Sequence, residues 1–378
     1  MRRLGLAIAL AAGIGCSPAP AWADDGVTAS EILIGMANAL SGPAAGLGLQ
    51  LRAGAHAYID KVNAAGGVHG RRIKLLSVDD AYDPRESMRA TRFLIEGDKV
   101  FALFGYVGTP TSMAAVPIAV QAGVPYLFPF SGAEVLRNPV NPVVFNLRAS
   151  YYDEAEALVA HLTAVEGASR IALFIQDDEF GAAGKAGVLR ALEKRQLKPV
   201  MEARYVRNTT DINPGLLQLK QVAPDAVIFI GTYRPLAELV KRAAALHVRT
   251  RYATVSFIGT SEFIKHAGPA GDGVIISQVM PAPEQVGAAL VRQYQADVDP
   301  GARNYGSLEG YADAMVLVEA LKRCGAQPSR AGLLHALEQL HMDLGGLPVA
   351  FSVRQHQGLS RVYLTQVKAG AAIAIGKR

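Results

Sequence analysis

The chain has 378 residues, half of them apolar, with 38 basic and 33 acidic side chains for a formal charge of +5. That is long for one domain and ample for two, and the apolar share excludes a disordered chain. Arg2 and Arg3 sit at the extreme start and the other charges are scattered, so neither a nucleic acid nor a membrane surface is expected as partner.

The first residues read as an address label. Arg2-Arg3 precede an apolar run from Leu4 to Ile14, then Ala21-Trp22-Ala23 stands before Asp24-Asp25. A positive start, a short apolar core and an A-x-A site predict a secretory signal over 1–23, cut after Ala23, and hence export to the periplasm. A lipid anchor on Cys16 is the less favoured alternative, because Gly13-Ile14-Gly15 lacks the large aliphatic residue usual three positions before an acylated cysteine. Cleavage leaves Cys324 as the single cysteine, so no intrachain disulfide is expected. No later stretch is apolar for the roughly eighteen residues a membrane helix needs.

Glu31–Ala37 is a short strand leading into the irregular Leu40–Gly48, LSGPAAGLG. Leu51, Ala55, Tyr58, Ile59 and Val62 then fall on one helical face, ended by Gly66-Gly67. Arg72–Val78 alternates as a strand, Asp79-Asp80 and a Tyr82-Asp83-Pro84 turn follow, and a helix runs to about Glu96. Next comes the most informative stretch, FALFGYVGTPTSMAAVPIAVQAGVPYLFPFSGAE, from Phe101 to Glu134. It reads strand, loop, helix, strand, loop, helix start. Thr109 suits an N-cap with Pro110 behind it, and Ser131-Gly132-Ala133-Glu134 fits the capping box of a second helix. Two helix N-termini beyond strand carboxyl ends would aim free amides into one crevice, an anion site. Plain helix capping is the competing reading of both residues.

The pattern restarts after Arg148. Helices are expected over Tyr152–Thr163, Gly181–Lys194, Pro214–Gln221 and Pro235–Leu246, and strands over Arg170–Ile175, Pro199–Tyr205, Ala226–Gly231, Tyr252–Phe257 and Gly273–Val279. Helices Ser307–Cys324 and Ser329–Leu340 follow, and the chain closes on strands Val362–Val367 and Ala371–Ile375. Alternating strand and helix argues α/β architecture with parallel sheets covered on both faces, in two successive units. The third portion is best placed as added layers on those units.

Catalytic chemistry is hard to find. Gly46-Leu47-Gly48 lacks the third glycine of a dinucleotide fingerprint, no Walker loop occurs, and the eight histidines show no metal-ligand spacing. Asp79-Asp80 and Asp177-Asp178-Glu179 follow strands, where solvated loops and helix caps are the commoner use of acids. No enzyme, cofactor or metal is expected.

Taken together, LSGPAAGLG, VNAAGGVHGRRIKLLSVDDAYDP, FGYVGTPTS, VPYLFPFSGAEVLR, VIFIGTYRP and SLEGYADAMVLVEAL resemble the periplasmic solute-binding proteins of ABC transporters, in the branch that includes the Leu/Ile/Val-binding proteins. The resemblance implies a type I periplasmic-binding-protein fold: two doubly wound lobes, a three-crossing hinge and a central ligand cleft. Crossings are expected near Arg148, Gln278–Pro281 and Phe351–Gly358, giving lobe one as 24–148 plus 280–352 and lobe two as 149–279 plus 353–378. It also implies a monomer that hands an amino acid or other small carboxylate to an inner-membrane ABC permease.

In this family lobe one grips the ligand carboxylate. The matching positions are Thr109, Phe130, Ser131 and Gly132. On lobe two, Phe180 matches a position that is commonly tyrosine, and Tyr233 matches a tyrosine that closes over the ligand. Leu47 stands where an aromatic often lines the side-chain pocket. Ser256 replaces the acid that receives the α-ammonium, and a hydroxyl cannot neutralise a desolvated cation. Either Asp178 or Glu309 substitutes, or the ligand lacks an ammonium, as a 2-oxo acid or an aromatic or aliphatic carboxylate does. Tyr82 and Gly108 occupy the positions of the family's small-loop disulfide. A periplasmic sensor that signals to a partner is the remaining alternative to transport.

Overall fold

A computed structural model describes residues 24–375, so the predicted signal, its cleavage point at Ala23 and Cys16 lie outside the described residues. Five parallel strands form the first sheet: β1 (Glu31–Asn38), β2 (Arg72–Asp79), β3 (Ala102–Phe104), β4 (Tyr126–Leu127) and β5 (Val144–Phe145), in the order β2-β1-β3-β4-β5. The second sheet has seven strands. Five are parallel: β6 (Ile171–Gln176), β7 (Met201–Tyr205), β8 (Ala226–Ile230), β9 (Arg251–Thr254) and β10 (Ile275–Gln278). A hairpin of β11 (His341–Asp343) and β12 (Pro348–Ala350) precedes the last two members, β13 (Tyr363–Lys368) and β14 (Ala371–Ile375). These two run antiparallel, in the order β14-β13-β10-β9-β8-β6-β7. The chain's end departs from the parallel pattern of the two units: a tight turn through Ala369 and Gly370, both at positive φ, joins neighbours too closely for a crossover helix.

Eleven α-helices cover the sheets: α1 (Ala45–Ala64), α2 (Pro84–Arg92), α3 (Thr109–Gln121), α4 (Tyr151–Ala164), α5 (Glu179–Glu193), α6 (Asn213–Val222), α7 (Tyr233–Ala245), α8 (Thr260–Ala267), α9 (Ala289–Asp297), α10 (Tyr305–Arg323) and α11 (Arg330–Glu338). Sequence reading omits the short α8 and α9. Among the described residues no helix is long and apolar enough to cross a membrane.

Two local devices position the cleft. Ser150 accepts from the Asp153 amide while Asp153 accepts from the Ser150 amide, a capping box that starts α4 just after Arg148. The second is the crossing of α1 and α10. A Cβ on Gly310 would stand 2.0 Å from the Leu51 carbonyl oxygen, and one on Gly54 would stand 1.7 Å from the Ser307 carbonyl oxygen. Only glycine lets the two backbones meet there. That contact fixes the rotation of α10 and turns Glu309 toward the cleft.

Candidate ligand cleft

Loops at the carboxyl ends of both sheets face one another, and the lobes are closed on each other. One apolar cluster runs unbroken from Leu47, Tyr82 and Phe130 on the first lobe to Phe180, Tyr233 and Phe257 on the second. Phe257 is the central ring, with centroids 4.5 Å from Phe180, 5.5 Å from Phe130 and 6.0 Å from Tyr82. Polar contacts cross the seam. The Gly46 amide donates to the Tyr233 hydroxyl at 3.2 Å, Gln50 donates to the Ser261 hydroxyl at 3.0 Å, and Gln176 donates to the Tyr82 hydroxyl at 3.2 Å. Inside lies a cavity of about 10 Å³ bounded by Leu47, Phe130, Ser256, Gly259, Gln278 and Glu309, among others.

The predicted site residues divide by position. Leu47, Phe130, Ser256 and Glu309 line this cavity. Phe180 is fully buried behind Phe257. Tyr233 is the first residue of α7 and a buried interlobe contact.

Asp178 caps α5, accepting from the Phe180 and Gly181 amides, and also receives Gln176 at 2.6 Å and Arg207 at 3.3 Å. Burial nevertheless raises its carboxyl above the ordinary range. With its oxygens so engaged it does not line the cavity, whereas Glu309 does.

Two expectations for lobe one are corrected. Gly108, at φ 106°, is the N-cap of α3, and Thr109 is already its first residue. The second helix is a single 3-10 turn, Glu134–Leu136. Asn138 precedes Pro139, and the residue before proline is driven from helical torsions. Ser131 also serves another bond: its hydroxyl pairs with that of Thr109 at 2.8 Å and accepts the Ala133 amide at 3.3 Å. The two loops thus present one α-helix N-terminus, not two. Gly132 is needed for packing, since a Cβ there would meet the Tyr151 ring at 2.5 Å.

The feature that sequence reading missed is Arg148, noted only as a hinge crossing. It is 1% exposed, with its guanidinium carbon 4.3 Å over the Phe130 ring. Nη2 donates to the Ser256 hydroxyl, and Nε lies 3.3 Å from Glu309 Oε1. Nε and Nη1 make no hydrogen bond. Arg137 holds the backbone here, donating to the carbonyls of Ala133 and Arg148 and to the Gln357 side chain.

Beneath lie further carboxyls. Glu154 accepts from the Ser256 amide at 2.7 Å and the Ser277 hydroxyl at 2.6 Å, and Asp313 sits one turn beyond Glu309. Burial opposes the Arg148 charge, but Glu309 and Glu154 outweigh it and hold the guanidinium more firmly protonated than usual. Burial pushes Glu309 up to about 7 despite Arg148, and burial with Glu309 nearby raises Asp313. A lone cation in FNLRASYYDE, between a strand end and a helix cap, was the signal available for Arg148.

A two-lobed α/β clamshell closed over a part-charged cavity is the architecture of a solute-capturing protein rather than an enzyme. The chain belongs to the periplasmic binding protein family, whose model matches residues 31–372, and its relatives place it in the branched-chain amino acid branch of the type I fold. The chain is 25% identical to a leucine-, isoleucine-, valine-, threonine- and alanine-binding protein of Pseudomonas aeruginosa, over 82% of this chain and 83% of that protein. It is 26% identical to an amino acid binding protein of the same organism, over 80% and 81% respectively. Among solved structures, a possible leucine/isoleucine/valine-binding protein from Rhodopirellula baltica superposes with a TM-score of 0.86 and 34% identity, covering 92% of this chain and 97% of that one.

Proposed function

We propose that this chain is the periplasmic substrate-binding component of an ABC importer. It captures a small carboxylate-bearing solute, foremost a branched-chain or other aliphatic amino acid, and delivers it to the inner-membrane permease. The observation that carries the reading is a cavity with apolar walls, Leu47 and Phe130, and a buried acid, Glu309, on its lining, with the buried cation Arg148 against that acid behind it. An apolar side chain and an α-amino acid head match those surfaces. The amino-acid names of its relatives support the same ligand class.

The lobes are taken as 24–148 plus 280–352 and 149–279 plus 353–378, working as a monomer exported by the signal over 1–23. Closure on the ligand supplies the state that the permease recognises. Thr109 and Ser131 have one spare hydroxyl proton between them after their mutual bond, and it is assigned to the ligand carboxylate.

A second reading, a 2-oxo or aromatic acid, is raised by Ser256, an uncharged hydroxyl that meets a guanidinium where the family resemblance implies an acid. A thermal-shift screen of the mature protein against amino acids, their oxo-acid analogues and aromatic acids tests both. Leucine, isoleucine or valine should raise the melting temperature. Shifts with oxo or aromatic acids alone would overturn the amino-acid reading.

A further inference from the structure

We propose that the Arg148–Glu309 ion pair is the cleft's internal stand-in for a zwitterion, exchanged for the ligand's own charges on binding. The inference rests on the amino-acid reading above and assigns the two head-group partners within it. The ligand carboxylate takes Nη1 of Arg148, which makes no hydrogen bond, and the α-ammonium takes Glu309.

Four observations converge. Arg148 is buried with two nitrogens lacking any hydrogen bond, an unstable arrangement for a guanidinium unless another acceptor completes it. Its contact with Glu309 is a single Nε–Oε1 approach at 3.3 Å, without the paired parallel bonds a structural arginine–carboxylate bridge adopts. Glu309 borders the cavity while Glu154 and Asp313 do not, so it is the acid that a solute can reach. Phe130, the residue before Ser131, lies 4.3 Å beneath the guanidinium, so Arg148 packs on the turn whose hydroxyls are assigned to the ligand carboxylate.

The exchange keeps charge constant. With Glu309 ionised the pair is one cation and one anion, and the zwitterion adds one of each, so every charge ends with an opposite neighbour. An oxo acid lacks the ammonium and would leave Glu309 and the incoming carboxylate competing for one guanidinium. An amide of the amino acid would leave Arg148 without its second anion. Selection for a zwitterion thus follows although Ser256 carries no charge.

The test is calorimetry on the mature protein with leucine, 4-methyl-2-oxopentanoate and leucinamide. For the wild type, each analogue should bind at least about tenfold more weakly than leucine, the scale of a buried charge left unpaired. Glu309→Gln should remove the preference for leucine over the oxo acid, and Arg148→Met should abolish binding of both. Because either single change can unfold the protein, Arg148→Met with Glu309→Leu is the control. Apolar replacement of a whole buried pair is commonly tolerated, so the double variant should melt near the wild type yet bind no leucine.

Leucine binding by a well-folded double variant at wild-type affinity would overturn the assignment. So would Glu309→Gln that keeps the full preference, and both results leave the amino-acid reading standing. A wild type that ignores leucine but takes the oxo acid overturns that reading and the Glu309 assignment with it.

Discussion

Asp80 offers a quantitative check on the cleft. It is fully buried at the end of β2, its Oδ1 accepts the Tyr82 amide at 3.0 Å, and its Oδ2 has no partner. Burial pushes its carboxyl from 3.8 up to about 7, and Asp79 and Asp83 add to the rise against the hydrogen bond from the Tyr82 amide. A carboxyl with a raised folded-state value binds more protons folded than unfolded. Stability therefore falls as pH rises through the window from 3.8 to about 7. At about 1.4 kcal/mol per unit, the full window is on the order of 4 kcal/mol, an upper figure.

Asp80→Asn keeps the Oδ1 acceptor for Tyr82 and removes the charge, but it introduces an amide donor. An unsatisfied donor costs about 1–3 kcal/mol, leaving a net gain of about 2 kcal/mol at pH 8. Calorimetric melting should place the variant about 4 °C above the wild type at pH 8. The advantage should vanish or reverse by pH 5, where the wild-type carboxyl is already neutral. Glu309 and Asp313 titrate equally in both proteins, so the difference isolates Asp80. A difference that does not change with pH, or a variant less stable at pH 8, would refute the reasoning.

Tyr233→Phe removes the interlobe bond from the Gly46 amide, a contact worth about 1 kcal/mol that exists only when the lobes are closed. Affinity by titration calorimetry should fall about fivefold through the closure equilibrium, with little change in the melting of the unliganded protein. Unchanged affinity would remove Tyr233 from the closing contacts. Thr109→Ala with Ser131→Ala deletes both partners of one bond, so the fold should survive, while ligand affinity drops at least about tenfold. Full affinity in that variant would move the carboxylate off this turn.

Strand and helix alternation, the loops at strand ends and the apolar composition of the core are local patterns, and from them the sequence determined the α/β class and the stretch from Phe101 to Glu134 that faces the cleft. It also supplied Leu47, Phe130, Ser256 and Glu309, through their places in family-like segments. Local pattern failed at Ser131-Gly132-Ala133-Glu134, because only a single 3-10 turn, Glu134–Leu136, forms there, with Ala133 at its N-cap and the Asn138-Pro139 step just beyond.

Only tertiary structure separated Asp178 from Glu309, by placing Glu309 alone of the two on the cavity lining. Both are acids near the cleft by segment, but one caps its own helix and the other is aimed by a distant contact, Gly310 against Leu51. Arg148 is the clearest case. Its meaning depends on Phe130, Ser256 and Glu309, drawn from three separate parts of the chain. Charge pairing across such separations is set by how helices and hinge pack, and no periodicity along the chain encodes it.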